Sequence, residues 1–163
     1  MASSTGLAVV DALRQQMDEL GAAVVGVDEE EASRRTADGG WSVKECLSHL
    51  HGADGDTFLD GVRRFCDEDT PEVAVEPGMT HFDASRQAMA VEQLASRVQA
   101  QYRAIADVVA RASAEELSRR AHIGQLAETP VGDHPTLLQL VETISGMHVA
   151  GHLEELGAGG RSP

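Results

Sequence analysis

At 163 residues and 42% apolar content, the chain has the length and composition of one domain with a single core, spanning residues 1–163. Its net charge of −14 argues against a nucleic-acid partner, whose phosphates need a basic face, and equally against an anionic membrane surface. Aromatics make up only 3%, so the core must come from Leu, Val and Ala, a composition that favours helices.

No apolar run approaches the roughly 20 residues of a membrane span. Residues 1–6 lack the cationic-then-apolar order of a signal peptide. The expected location is cytoplasmic.

Leu7, Val10, Leu13, Met17, Leu20 and Val24 recur in steps of three and four, which predicts an amphipathic helix over 5–25. The charged stretch 28–36 reads as a short helical turn followed by a solvated surface loop. After Gly39-Gly40, Ser42 and Glu45 have the spacing of a capping box, and Trp41 precedes them as a hydrophobic staple toward Cys46. The predicted second helix runs from there to Cys66, with His49, Cys46, Ala53 and Asp56 on one face lined by small residues. Cys46 and Cys66 then lie 20 residues apart on one helix, roughly 30 Å, far beyond disulfide reach.

Residues 67–80 read as a long loop, a lid or a disordered connection, with 81–83 extended. Val91, Leu94, Val98, Tyr102, Ile105 and Val109 predict a third helix over 90–112. Ser113 and Glu116 mark a further short turn. Residues 119–131 carry no helical period, and Ala121, Ile123 and Leu126 suggest an extended crossing. After the break at 132–135, Thr136 and Gln139 form another capping box. The predicted fourth helix carries Leu137, Leu140, Val141, Ile144, His148, His152 and Leu156 on one face and stops at Gly157, leaving 158–163 as a loose tail. Four amphipathic segments with unequal connections predict an all-α four-helix bundle with long crossovers.

His148 and His152 stand one turn apart on one helical face, the spacing at which two imidazoles share a metal ion. His49, on the capped second helix, is the candidate third ligand if helices two and four are neighbours. Three imidazoles would leave coordination positions open, as in catalytic rather than structural sites. The other readings are inert polar residues on bundle faces, or a structural dimer in which the histidines are incidental. His51 points away from His49 and belongs to the surface. His81, His122 and His134 fall in loops, either at the surface or lining a pocket as acid–base groups. Asp56 could orient a ligand histidine, and Cys46 reads as a buried, inert thiol.

The order Trp41-Ser42-Val43-Lys44-Glu45-x-Leu47-x-His49-Leu50, then Thr136-Leu137-Leu138-x-Leu140, then His148-x3-His152-Leu153-Glu154, resembles the DinB/YfiT-like family of metalloenzymes. The resemblance spans the chain from the first helix to Leu156. It implies a four-helix bundle binding a divalent metal, zinc or nickel, through His49, His148 and His152. It further implies a small-molecule substrate, with either a low-molecular-weight thiol of mycothiol type transferred to an electrophile or a metal-dependent hydrolysis. A branch that isomerises maleylpyruvate carries Glu where this chain has His148, and the chain departs from it there. A non-catalytic, metal-stabilised binding protein is the other reading, and a homodimer through helix faces is compatible with it.

Overall fold

The computed structural model describes residues 4–159. The expected tail therefore falls partly outside the described residues, at 160–163, while 158 and 159 continue the last helix.

The first helix, α1 (Ser4–Val24), buries Val10, Leu13, Met17, Leu20 and Val24 as the periodicity predicts. Leu7, assigned to the same face, is half exposed. Gly26, at φ 80°, turns the chain out of the helix. Asp28 then caps the single turn α2 (Glu29–Ser33). The acidic run is more than a solvated connection. Glu29 pairs with the buried Lys44 at 2.5 Å and accepts the Val91 N–H at 2.7 Å. It thereby ties the turn to the starts of two long helices, and the Lys44 bond holds its carboxyl below the usual range.

The Ser42–Glu45 capping box opens α3 (Val43–His51), and Arg35 grips the same Glu45 carboxylate with Nε and Nη2. The second helix does not continue to Cys66. Gly52, at φ 77°, ends it, and Thr57 with Asp60 opens a new capping box for α4 (Phe58–Asp67). The physical reason is local: a left-handed glycine and a strong cap nine residues before the predicted end outweigh the apolar period. Ala53 and Asp56 are thus in the break and not on the His49 face, and Asp56 pairs with Arg64 at 3.1 Å. Cys46 and Cys66 sit on different helices, both as free thiols.

The stretch 68–83 is built rather than loose. Residues 71–73 run beside 119–123, with Val73 N–H to His122 O at 3.0 Å and His122 N–H to Pro71 O at 2.9 Å. His81, expected in extended backbone, has φ 51°. Asp83 caps the turn α5 (Ala84–Ala88), whose Arg86 is buried. The third long helix, α6 (Val91–Arg111), matches its predicted bounds within a residue. A capped turn, α7 (Ala114–Ser118), follows, and then the extended crossing 119–123, which also pairs with 133–137. Among the described residues these contacts are isolated bridges and no named strand forms.

The Thr136–Gln139 box opens α8 (Leu137–Thr143). The same helix then widens into a π turn (Ile144–Val149) before resuming as α9 (Ala150–Gly159), past the predicted stop at Gly157. The π turn takes up one extra residue. The buried seam shifts accordingly at the turn: Ser145 and Val149 are buried where the predicted face has Ile144 and His148, which are only half-buried, and Leu156 is buried as predicted. Gln16 of α1 clamps this turn from the side. Its amide donates to Ser145 O at 2.8 Å and accepts from the Ser145 hydroxyl at 3.0 Å. Replacing Gln16 with Leu leaves a buried hydroxyl and a carbonyl unmatched. It should cost about 2 kcal/mol, a fall in melting temperature of roughly 4–8 °C, partly restored when Ser145→Ala removes the orphaned hydroxyl as well.

The long helices close a ring. Helix α1 lies against α6 and α9, and α3 lies against the same two, so the first and second long segments sit on a diagonal. The core runs down the centre, from Leu13, Met17 and Leu20 through Leu47, Leu94, Val98 and Ile105 to Leu140 and Val149. The fold is an all-α four-helix bundle with crossover connections, as the sequence predicts. Its connectivity makes α3 and α9 neighbours.

Candidate metal centre

Adjacency of α3 and α9 brings together the three histidines singled out by spacing. The His49 ring centroid lies 5.0 Å from those of both His148 and His152, which are themselves 4.9 Å apart. One ring nitrogen from each lies within 4.8 Å of the other two. All three are half-buried, at the edge of the bundle rather than deep in it.

Two of the rings are oriented from behind. His49 donates from Nδ1 to the Met79 carbonyl at 2.7 Å, and His152 from Nδ1 to the Glu155 carboxylate at 2.7 Å. Each bond leaves Nε2 with its lone pair, the usual condition of a metal-ligating imidazole. Burial, reinforced by the two neighbouring rings, pushes the His148 imidazole down to about 4. Burial also lowers His49, partly offset by the Met79 bond, with His152 and then His81 as smaller contributions. His49 and His148 are therefore held neutral near pH 7, the form that binds a cation. The donor set, three imidazoles with no carboxylate, fits a borderline first-row ion such as zinc or nickel.

Trp41 forms one wall. Its ring stacks on His152 at 5.9 Å and tilts against His49 at 4.8 Å. The indole, expected as a staple toward Cys46, thus lies against the site. Cys46, His152 and Glu155 form an overlapping second triplet of donors. The imidazole set is the better site: burial and then the Glu155 charge push the Cys46 thiol up to about 12, and Glu155 already holds His152.

Residues 76–86 form a strap over the end of α3. Ser48 donates to the Thr80 carbonyl at 2.6 Å beside the Met79 bond to His49. His81 lies on this strap, mostly buried, with Nε2 bonded to Glu76 at 2.9 Å. His51 points away from the centre as predicted. It is packed rather than at the surface, with its ring against Arg86 at 3.3 Å. His122, on the extended crossing, and His134, on the segment paired with it, stack on each other and are not part of the three-histidine cluster. The sequence reading missed Met79, which contributes through its backbone, and Glu155, which the i,i+3 spacing to His152 could have flagged.

A family model described as the DinB superfamily matches residues 12–156. The chain belongs to the DinB superfamily. A solved structure of YfiT from Bacillus subtilis superposes with a TM-score of 0.72 at 18% identity, covering 97% of this chain and 89% of that one. Its authors describe YfiT as a probable metal-dependent hydrolase with an unusual four-helix bundle topology. At that identity the likeness concerns the fold. A comparison with curated proteins finds no match.

Proposed function

We propose that this chain is a divalent-metal-dependent enzyme acting on a small electrophile, with His49, His148 and His152 as the ligands of a zinc or nickel ion. The observation that carries this reading is the convergence of three ring nitrogens from two different helices within 4.8 Å. When bound, the cation supplies charge that stabilises the anion of a coordinated thiol or water. Three protein ligands leave room for that nucleophile.

The chain's own residues do the rest. Met79 and Glu155 hold two imidazoles in the tautomer that presents Nε2. Trp41 keeps water from one side of the cluster. His81, bonded through Nε2 to Glu76, retains Nδ1 for proton transfer and is the acid–base group assigned here.

The nucleophile assigned is a low-molecular-weight thiol of mycothiol type, which makes the protein an S-transferase. Hydrolysis is the second reading, favoured by the description of YfiT. The experiment compares zinc- or nickel-loaded protein with and without the thiol, using an aryl chloride and an activated ester. Transfer gives a thioether with release of chloride, dependent on both metal and thiol. Ester cleavage without thiol moves the assignment to a hydrolase. Full metal occupancy with neither product overturns the enzyme reading and leaves a metal-stabilised binding protein.

A further inference from the structure

A second pair of histidines stands on the extended crossing. Ala121 and Ile123 are both fully buried, so the alternation of extended backbone turns His122 to the opposite face. Ala121 N–H donates to Pro135 O at 3.3 Å and Ile123 N–H to Asp133 O at 2.8 Å. These bonds bracket His122 and His134 as a directly opposed cross-strand pair. Their ring centroids are 4.9 Å apart, with the planes inclined by 37°.

Each ring has its own carboxylate. Glu72, from the flanking segment on the other side, holds His122 Nδ1 at 2.7 Å, and Asp133 holds His134 Nδ1 at 2.9 Å. Neither Nε2 has a hydrogen-bond partner among the described residues. An imidazole whose Nδ1–H is held by a carboxylate and whose Nε2 is free has the arrangement of a metal ligand. Here that arrangement occurs twice, at cross-strand distance. Arg120 donates to the His134 carbonyl, and two carboxylates hold the two rings.

The geometry points to a second divalent-metal site, formed by Nε2 of His122 and of His134, with Glu72 and Asp133 orienting the rings and water completing the coordination. Two imidazoles select a first-row ion such as zinc, nickel or copper over magnesium or calcium. The ligands come from two segments and an orienting carboxylate from a third, so an ion here cross-links 71–73, 119–123 and 133–137. His134 lies two residues before Thr136, the cap of the helix that carries His148 and His152. Occupancy of the second site therefore steadies the start of that helix. The inference does not depend on the bundle cluster binding metal.

The test is calorimetric titration of zinc into the full chain and into His122→Ala, His134→Gln and His148→Ala, with circular dichroism to confirm folding. The wild type should bind two equivalents of unequal affinity. Both crossing variants should weaken one equivalent at least tenfold and leave the other, whereas His148→Ala should spare the equivalent that they remove. His134 is half exposed, so its glutamine variant is read even if His122→Ala fails to fold. A wild type with no equivalent sensitive to His134→Gln at millimolar zinc overturns the second site. If one equivalent is sensitive to His134→Gln and none to His148→Ala, the second site stands and the bundle assignment falls.

Discussion

Replacing His148 with alanine is expected to leave the bundle folded and remove its bound cation. The His148 ring contacts are with the two other candidate ligands, and Val149 beside it carries the core packing of the π turn. The loss therefore falls on coordination. Apparent binding energies of zinc in small sites run to about 10–16 kcal/mol, and one ligand in three accounts for about 4 kcal/mol, roughly a thousandfold in affinity. Elemental analysis after dialysis should find about one ion per wild-type bundle site and little or none in the variant. Full retention in the variant would sink the ligand assignment.

The same substitution has a pH signature in chelated protein. His148 titrates near 4 when folded, below its unfolded value of 6.5. Between those values the unfolded chain binds the proton that the folded chain refuses. Stability therefore falls as pH drops through that window. The apo wild type should lose stability on acidification from about 6.5 toward 4, and His148→Ala should lose less, by melting temperature across that range.

Arg86→Ala should be the most destabilising change in the strap. Arg86, a residue 2% exposed, donates to Ser48 O at 3.0 Å, the Ser48 hydroxyl at 2.9 Å and Gly52 O at 2.6 Å, and pairs with Asp54 at 3.2 Å. It thus ties Ser48 to the carbonyl of the cap residue Gly52 at the end of α3, where a cation also complements the helix dipole. Truncation strands the Gly52 carbonyl, breaks the fork to Ser48 and leaves a cavity, at about 3–5 kcal/mol, a fall in melting temperature on the order of 10 °C. It also frees the strap whose Met79 carbonyl orients His49, so metal affinity should drop 10–100-fold. Arg86→Lys should recover little of either, because one ammonium cannot serve the same fork of acceptors. Unchanged metal affinity in a destabilised Arg86→Ala would separate the strap from the site.

Where local chemistry decides the outcome, the sequence is a good guide. The capping boxes at Ser42, Ser113 and Thr136 all form, and the α6 seam from Val91 to Val109 is buried throughout. The encounter of His49 with His148 and His152 was foreseeable only on condition that two helices meet, a tertiary fact that spacing cannot express. Other features were hidden for definite reasons. The apolar period of 42–66 masked the stop at Gly52 and the Thr57 cap. The extra residue of the π turn leaves no mark in composition, and its clamp comes from Gln16, more than a hundred positions away. Met79 acts through a carbonyl that every residue carries, so no side-chain pattern could announce it.

The tryptophan that walls the cluster has an optical consequence. It is the only indole in the chain, and it lies against two of the three imidazoles. The emission of the whole protein is thus a signal from one place. A paramagnetic ion such as nickel or copper seated there would quench it, and zinc would shift it without quenching. The protein therefore carries a built-in fluorophore, in contact with two of the three imidazoles, that reports occupancy of this cluster.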